Sequence, residues 1–219
     1  MTILAWLLDT VFWLLGNQNF QFYLIAYCVG GIPFGLVILR LFYGIDLRKV
    51  GSGSIGATNV LRALQQNNIA HAKLMALLTV ILDASKGAIV VLAARAYNLG
   101  ADVQWSIAVL SVIGHCYSPF LKFDGGKGIA TGVGVMLVLL PIEAILGLLA
   151  WFIVGKWSKI SSLASLAGLG GFLVSHYFLN PTIPEIESHA PIIIIAVVII
   201  WKHIPNIQRI LQSKEQKIV

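Results

Sequence analysis

Six long apolar runs, separated by short polar segments, leave this chain few folds to choose from. They fall at about residues 20–43, 70–97, 104–119, 128–155, 163–179 and 190–204. An apolar helix of roughly 20 residues matches the hydrocarbon core of a bilayer. In lipid every backbone polar group needs a partner inside the protein, so such runs are read as helices. Hydrophobic residues make up 58% of the chain and charged ones 11%, with a mean hydropathy of +0.87. These values exclude an ordinary soluble domain. The predicted fold is all-α, a polytopic membrane helix bundle.

Lysines and arginines decide how the runs are counted. Arg40, Arg48, Lys49, Arg62 and Lys73 lie between the first and second runs, and Lys122 and Lys127 follow the third. Lys156 and Lys159 follow the fourth, while Lys202, Arg209, Lys214 and Lys217 close the chain. The connections around 98–103, 141–143 and 180–189 are neutral or acidic. If basic loops face the cytoplasm, the run 128–155 must be two short helices meeting near Pro141. About seven transmembrane helices result, some short or broken, with the N-terminus outside and the C-terminus cytoplasmic. Residues 19–207 then form one transmembrane domain and residues 208–219 a basic cytoplasmic tail. The net charge of +6 reflects this bias and attraction to anionic lipid, and does not indicate nucleic acid. Residues 1–18 are apolar but short and carry Asp9, which suggests an interfacial helix. They lack the positive start and small-residue cleavage site of a signal peptide. Cys28 and Cys116 sit in apolar context without metal or redox spacing.

The polar residues concentrate in a few segments, all on the predicted cytoplasmic side. Gly51-Ser-Gly-Ser-Ile-Gly-Ala-Thr-Asn59, followed by Val-Leu-Arg62, gathers three glycines, three hydroxyls, an amide and an arginine. Glycine-rich turns let backbone N–H groups converge on an anion, and a guanidinium fork matches phosphate oxygens. Alone, such a cluster reads as a polar turn. Asp83 and Lys86 lie within an apolar run, either as a site or as an i,i+3 pair that steadies the helix. A segment headed by His115 ends in Asp124-Gly-Gly-Lys127-Gly128, where backbone donors, a helix start and an ammonium make an anion site. It lacks the spacing of a P-loop. Ser161 or Ser162 opens the sixth helix as an N-cap, and Lys202-His203-Ile-Pro-Asn206-Ile-Gln-Arg209 closes the last one.

Together these segments carry a resemblance. Ala26-Tyr-Cys-Val-Gly-Gly-Ile-Pro-Phe-Gly35, the 51–62 segment, Asp83-x-x-Lys-Gly87, Phe120-Leu-Lys-Phe-Asp-Gly-Gly-Lys-Gly-Ile-Ala-Thr131 and His203-x-x-Asn206-Ile-x-Arg209 occur in order at suitable spacing. From about residue 20 to the C-terminus the chain resembles the bacterial acyl-phosphate-dependent glycerol-3-phosphate acyltransferases, the PlsY family. Ser54, where that family has asparagine, and Asp124, where a basic residue is common, depart from the pattern.

The resemblance implies transfer of a fatty acyl group from acyl phosphate to the 1-hydroxyl of glycerol 3-phosphate at the bacterial inner membrane, giving lysophosphatidic acid and phosphate. It implies no cofactor, no metal and no acyl-enzyme. A soluble enzyme making acyl phosphate becomes a partner, alongside membrane lipid. In these terms Ser52, Arg62, Lys127 and Ser162 bind phosphate, and Gly51, Gly53, Thr58, Asn59, Gly126 and Gly128 complete the cradles. Lys127 also aids catalysis. His203 and Asn206 orient glycerol 3-phosphate or assist proton transfer, with the substrate phosphate as the alternative base. Asp83 and Lys86 act structurally. A transporter of anionic metabolites built on broken helices, and a scaffold protein, are the competing readings.

Overall fold

The computed structural model describes residues 3–180, 183 and 185–217. Residues 1–2 of the N-terminal extension, residues 181, 182 and 184 of the acidic connection, and residues 218–219 of the tail lie outside the described residues. The described chain forms α1 (Ile3–Gly16), α2 (Gln18–Gly31), α3 (Phe34–Tyr43), α4 (Ala57–Gln66), α5 (Ala72–Ala96), α6 (Ala101–Cys116), α7 (Ile129–Leu139), α8 (Pro141–Ser158), α9 (Ser161–Leu179) and α10 (Ala190–Leu211). Two single 3-10 turns, Leu47–Lys49 and Pro119–Leu121, lie in the loops.

Helices α5, α8, α9 and α10 are long and apolar enough to cross a membrane. The first predicted span, 20–43, is a bent pair. Ile32 takes an extended backbone before Pro33, as residues preceding proline prefer, and α2 meets α3 at 47°. The break near Pro141 occurs where expected, with Leu140 out of helical geometry between α7 and α8. Helix α6 has 16 residues and α7 only 11, so each is shorter than the roughly 20 residues of a full span.

Close helix approaches hold the bundle together. A Cβ on Gly30 would strike the Ser111 backbone, one on Gly114 the Tyr27 carbonyl, and one on Gly134 the Ala84 carbonyl. Small residues at crossings let membrane helices meet without a hydrophobic driving force between them. Large apolar side chains such as Leu41, Phe42, Trp157, Phe178 and Trp201 are exposed, as suits a protein whose outer solvent is lipid. Helix α1 follows this pattern with Phe12 and Trp13 exposed, and Asn17 separates it from α2 by accepting a hydrogen bond from Phe20 N at 3.1 Å.

Candidate active site

Three helices point their N-terminal ends at one cavity of about 490 Å3. Gly56, Ala57 and Thr58 of α4, Gly128, Ile129 and Ala130 of α7, and Ser161 and Ser162 of α9 all line it. None of the three starts carries a side-chain cap. Their positive dipole ends therefore face the cavity, which favours an anion, although Asn59 N of α4 and Ile160 N before α9 already have partners in Gly56 O and Ser158 Oγ. Gly128 adopts φ +82° to bring the chain into α7, a conformation that glycine takes at little cost. Thr58 Oγ1 and Ser161 Oγ lie 2.8 Å apart and tie the start of α4 to that of α9.

The 51–62 segment is organised by one buried amide. Asn59 Oδ1 accepts from Ser52 N at 3.0 Å, and its Nδ2 donates to the carbonyls of Leu47, Val50 and Ser54 at 2.8 to 3.2 Å. Both ends of the Asn59 side chain are thereby committed to its own loop. Gly51, at φ +60°, lies so close that a Cβ would overlap Asn59 Oδ1. Gly53 N donates to Val50 O at 3.1 Å, so it offers no free backbone donor, in contrast to the expectation for this glycine. The loop instead presents Ser52, Ser54, Thr58 and Arg62 to the cavity.

On the opposite wall, His203 and Asn206 face inward from α10. His203 Nδ1 lies 2.8 Å from Ile199 O. A carbonyl can only accept, so Nδ1 carries the proton and Nε2 keeps its lone pair. The chain then turns back, and the tail enters the same cavity. Glu215 Oε1 accepts from Ser162 Oγ at 2.7 Å and from Asn206 Nδ2 at 2.6 Å, while Oε2 accepts from Arg209 Nε at 2.6 Å. Arg62 Nη2 donates to Gln216 O at 3.1 Å. Burial pushes the Glu215 carboxyl up, but the donors from Ser162, Arg209 and Asn206 together outweigh it and hold the group below its usual range. Lys127 is half-buried at the mouth of α7. Burial lowers its ammonium to about 8, with Arg209 and Arg62 adding to the effect and Glu215 opposing it.

Beneath the cavity, Lys86 and Asp83 form the i,i+3 pair at 2.9 Å within α5. Lys86 Nζ also donates to Ile32 O, at the bend between α2 and α3, and lies 2.9 Å from His115 Nδ1. Thr131 Oγ1 donates to Asp83 O and fastens α7 to α5. Away from the site, the cavity continues as an apolar channel between α7, α8, α9 and α10, walled by Val133, Met136, Leu148, Leu169, Phe172 and Ile195.

The residues singled out from sequence thus gather in one place. Ser52, Thr58, Asn59, Arg62, Lys127, Gly128, Ser162, His203 and Asn206 line the cavity, as does Asp83. Gly51, Gly53, Gly126 and Lys86 stand behind its wall and shape it. Gly126 N donates to His115 O at 2.9 Å. Ile160, not a serine, occupies the N-cap of α9. Glu215 escaped sequence reasoning because a lone acid in a basic tail has no motif around it. Among the described residues no three His, Cys, Asp or Glu side chains converge as metal ligands would.

These features define an integral membrane protein with a candidate anion site that opens into an apolar channel. The family described as glycerol-3-phosphate acyltransferase matches residues 20–213. A glycerol-3-phosphate acyltransferase of Wolinella succinogenes is 58% identical over 205 residues, 94% of this chain and 99% of its own. One of Helicobacter pylori is 44% identical over 220 residues, 97% of this chain and all of its own. A crystal structure of PlsY, an integral membrane glycerol 3-phosphate acyltransferase, in its glycerol 3-phosphate form superposes with a TM-score of 0.80. It is 33% identical to this chain, and the match covers 92% of this chain and 96% of that one. The chain belongs to the glycerol-3-phosphate acyltransferase family and is a multi-pass membrane acyltransferase of phospholipid biosynthesis.

Proposed function

We propose that the protein moves a fatty acyl group from acyl phosphate to the 1-hydroxyl of glycerol 3-phosphate, releasing lysophosphatidic acid and phosphate. The convergence of three uncapped helix N-termini with Arg62, Lys127 and Arg209 on one cavity carries this reading. Two phosphate-bearing substrates need more than one anion cradle, and the acyl chain needs the apolar channel that continues from them. The family relationship supplies glycerol 3-phosphate. More than one phosphate cradle beside the apolar channel favours acyl phosphate as donor.

Acyl phosphate is a mixed anhydride and is already activated, so a covalent enzyme nucleophile is not demanded. Holding two anions in register and stabilising charge as the phosphate departs accounts for the catalysis. Ser52, Arg62 and the start of α4 hold one phosphate. Lys127, the start of α7 at Gly128 and Ser162 hold the other, and Asn59 keeps the 51–62 loop in shape. The 1-hydroxyl oxygen attacks the acyl carbonyl carbon; the new ester C–O bond forms as the C–O bond to phosphate breaks. His203 Nε2 takes the hydroxyl proton and passes it to the departing phosphate, which leaves as hydrogenphosphate and returns the imidazole to its neutral form. Asn206 orients the glycerol moiety. Basic residues around the site favour a position on the cytoplasmic face of the bacterial inner membrane, where a soluble enzyme would supply acyl phosphate. Purified protein supplied with glycerol 3-phosphate and either acyl phosphate or acyl-CoA tests this. Turnover is expected only with acyl phosphate; equal rates with acyl-CoA would overturn the donor assignment.

A further inference from the structure

His115 lies outside the proposed phosphate cradles, yet its side chain reaches the cavity. It is 4% exposed and lines the wall beside Asp83. Its Nδ1 lies 2.9 Å from Lys86 Nζ. Lys86 also donates to Asp83 Oδ1 and Ile32 O, both at 2.9 Å. An ammonium has three donors and no lone pair, so all three contacts are donations and His115 Nδ1 must accept. That fixes the neutral tautomer with the proton on Nε2. Asp83, 3.8 Å from the same Nδ1, accepts from the Lys86 ammonium at 2.9 Å and so supports this tautomer.

The Nε2–H therefore faces away from the Lys86 pair. Among the described residues no hydrogen bond to it is present. It abuts residue 126, where a Cβ would overlap the nitrogen itself. Only a glycine fits this close to Nε2. The same glycine is locked in register by donating its own N–H to His115 O. The N–H is open to the cavity that His115 lines, so a bound oxygen can accept from it.

We propose that His115 Nε2–H donates a hydrogen bond to an anionic substrate oxygen held at Lys127 and the start of α7, a phosphate oxygen or the oxyanion that develops on the acyl carbon. The inference rests on the anion-binding reading of that cradle. Lys86 and Asp83 then act as positioning residues: they set which imidazole nitrogen is the donor.

Two substitutions separate this from a purely structural role. His115→Asn keeps an acceptor near Nδ1 for Lys86 and removes the donor. His115→Gln places an amide N–H near the Nε2 position and loses the acceptor. With both variants folded, His115→Asn is expected to lower kcat/KM for glycerol 3-phosphate acylation about ten- to a hundredfold, with His115→Gln recovering a substantial part. The reverse order, or wild-type kinetics in His115→Asn, would overturn the proposal. Imidazole 15N spectra of the wild-type protein, with inorganic phosphate and then glycerol 3-phosphate added, give a second reading that needs no variant. His203 carries the opposite tautomer, so a ring protonated at Nε2 is distinguishable from it. The Nε2–H resonance of His115 is expected to shift on addition; a response confined to other histidines would contradict the proposal. Should the wild type fail to use acyl phosphate, the donor assignment falls while the spectra still decide the role of His115.

Discussion

Ser162, the second residue of α9, donates its hydroxyl to Glu215 at 2.7 Å across 53 residues of chain. The contact draws the tail into the cavity and gives Glu215 a share in holding Asn206 and Arg209. Glu215→Ala leaves three donors without their acceptor, so a lower Tm and reduced turnover are expected together. The donors hold the carboxyl below its usual range. Its stabilising contribution is therefore fully present above the unfolded carboxylate pKa of about 4.3 and is lost only as pH falls through the lowered folded value. The gap in Tm between wild type and Glu215→Ala should stay constant through neutral pH and narrow only in acid. A gap that closed near neutrality would remove Glu215 from this role.

Lys127 gives pH effects of opposite sign on stability and on activity. Its folded pKa of about 8 lies below the ordinary 10.5. Between those values the unfolded chain binds the extra proton, so stability should rise with pH across that window. Phosphate capture needs the charged form, so kcat/KM for glycerol 3-phosphate should fall as pH rises through about 8. Lys127→Arg should move that limb to higher pH, and Lys127→Ala should abolish it with a loss of tenfold or more. An unchanged alkaline limb in Lys127→Arg would assign the titration to another group.

Arg62 is half-buried and meets the tail carbonyl of Gln216. Arg62→Lys preserves the charge but loses the planar fork, so kcat/KM should still fall about tenfold or more while Tm barely moves. Full activity in Arg62→Lys would leave a point charge sufficient at this position.

Sidedness is open to cysteine labelling in intact cells, with Cys28 and Cys116 first replaced by alanine. Single cysteines at the exposed positions Asp102 and Glu185 should react with an impermeant reagent. One at exposed Asp124 should react only after permeabilisation. Labelling of position 124 from outside would invert the proposed orientation.

Much of the fold was legible in the sequence because bilayer thickness and helix geometry act on local pattern. The apolar runs became helices, and Pro141 marked the break between α7 and α8. Pro33 bends the first run although apolar residues continue on both sides, so hydropathy alone reads 20–43 as one span. Most of the candidate site's lining was legible too, since glycines, hydroxyls and cations are conspicuous in an apolar chain. What the pattern could not give was tertiary: that α4, α7 and α9 aim their N-termini at one point, that Asn59 serves its own loop, and that Glu215 returns to the cavity. His115 heads a recognisable segment, but its tautomer follows only from the three contacts of Lys86.

The central claim is that both substrates occupy one cavity and react directly. Initial rates over a grid of acyl phosphate and glycerol 3-phosphate concentrations test it. The account predicts lysophosphatidic acid as product and double-reciprocal lines that intersect, as a ternary complex requires. Parallel lines, with an acyl adduct on the protein when acyl phosphate is given alone, would establish a covalent intermediate and contradict it.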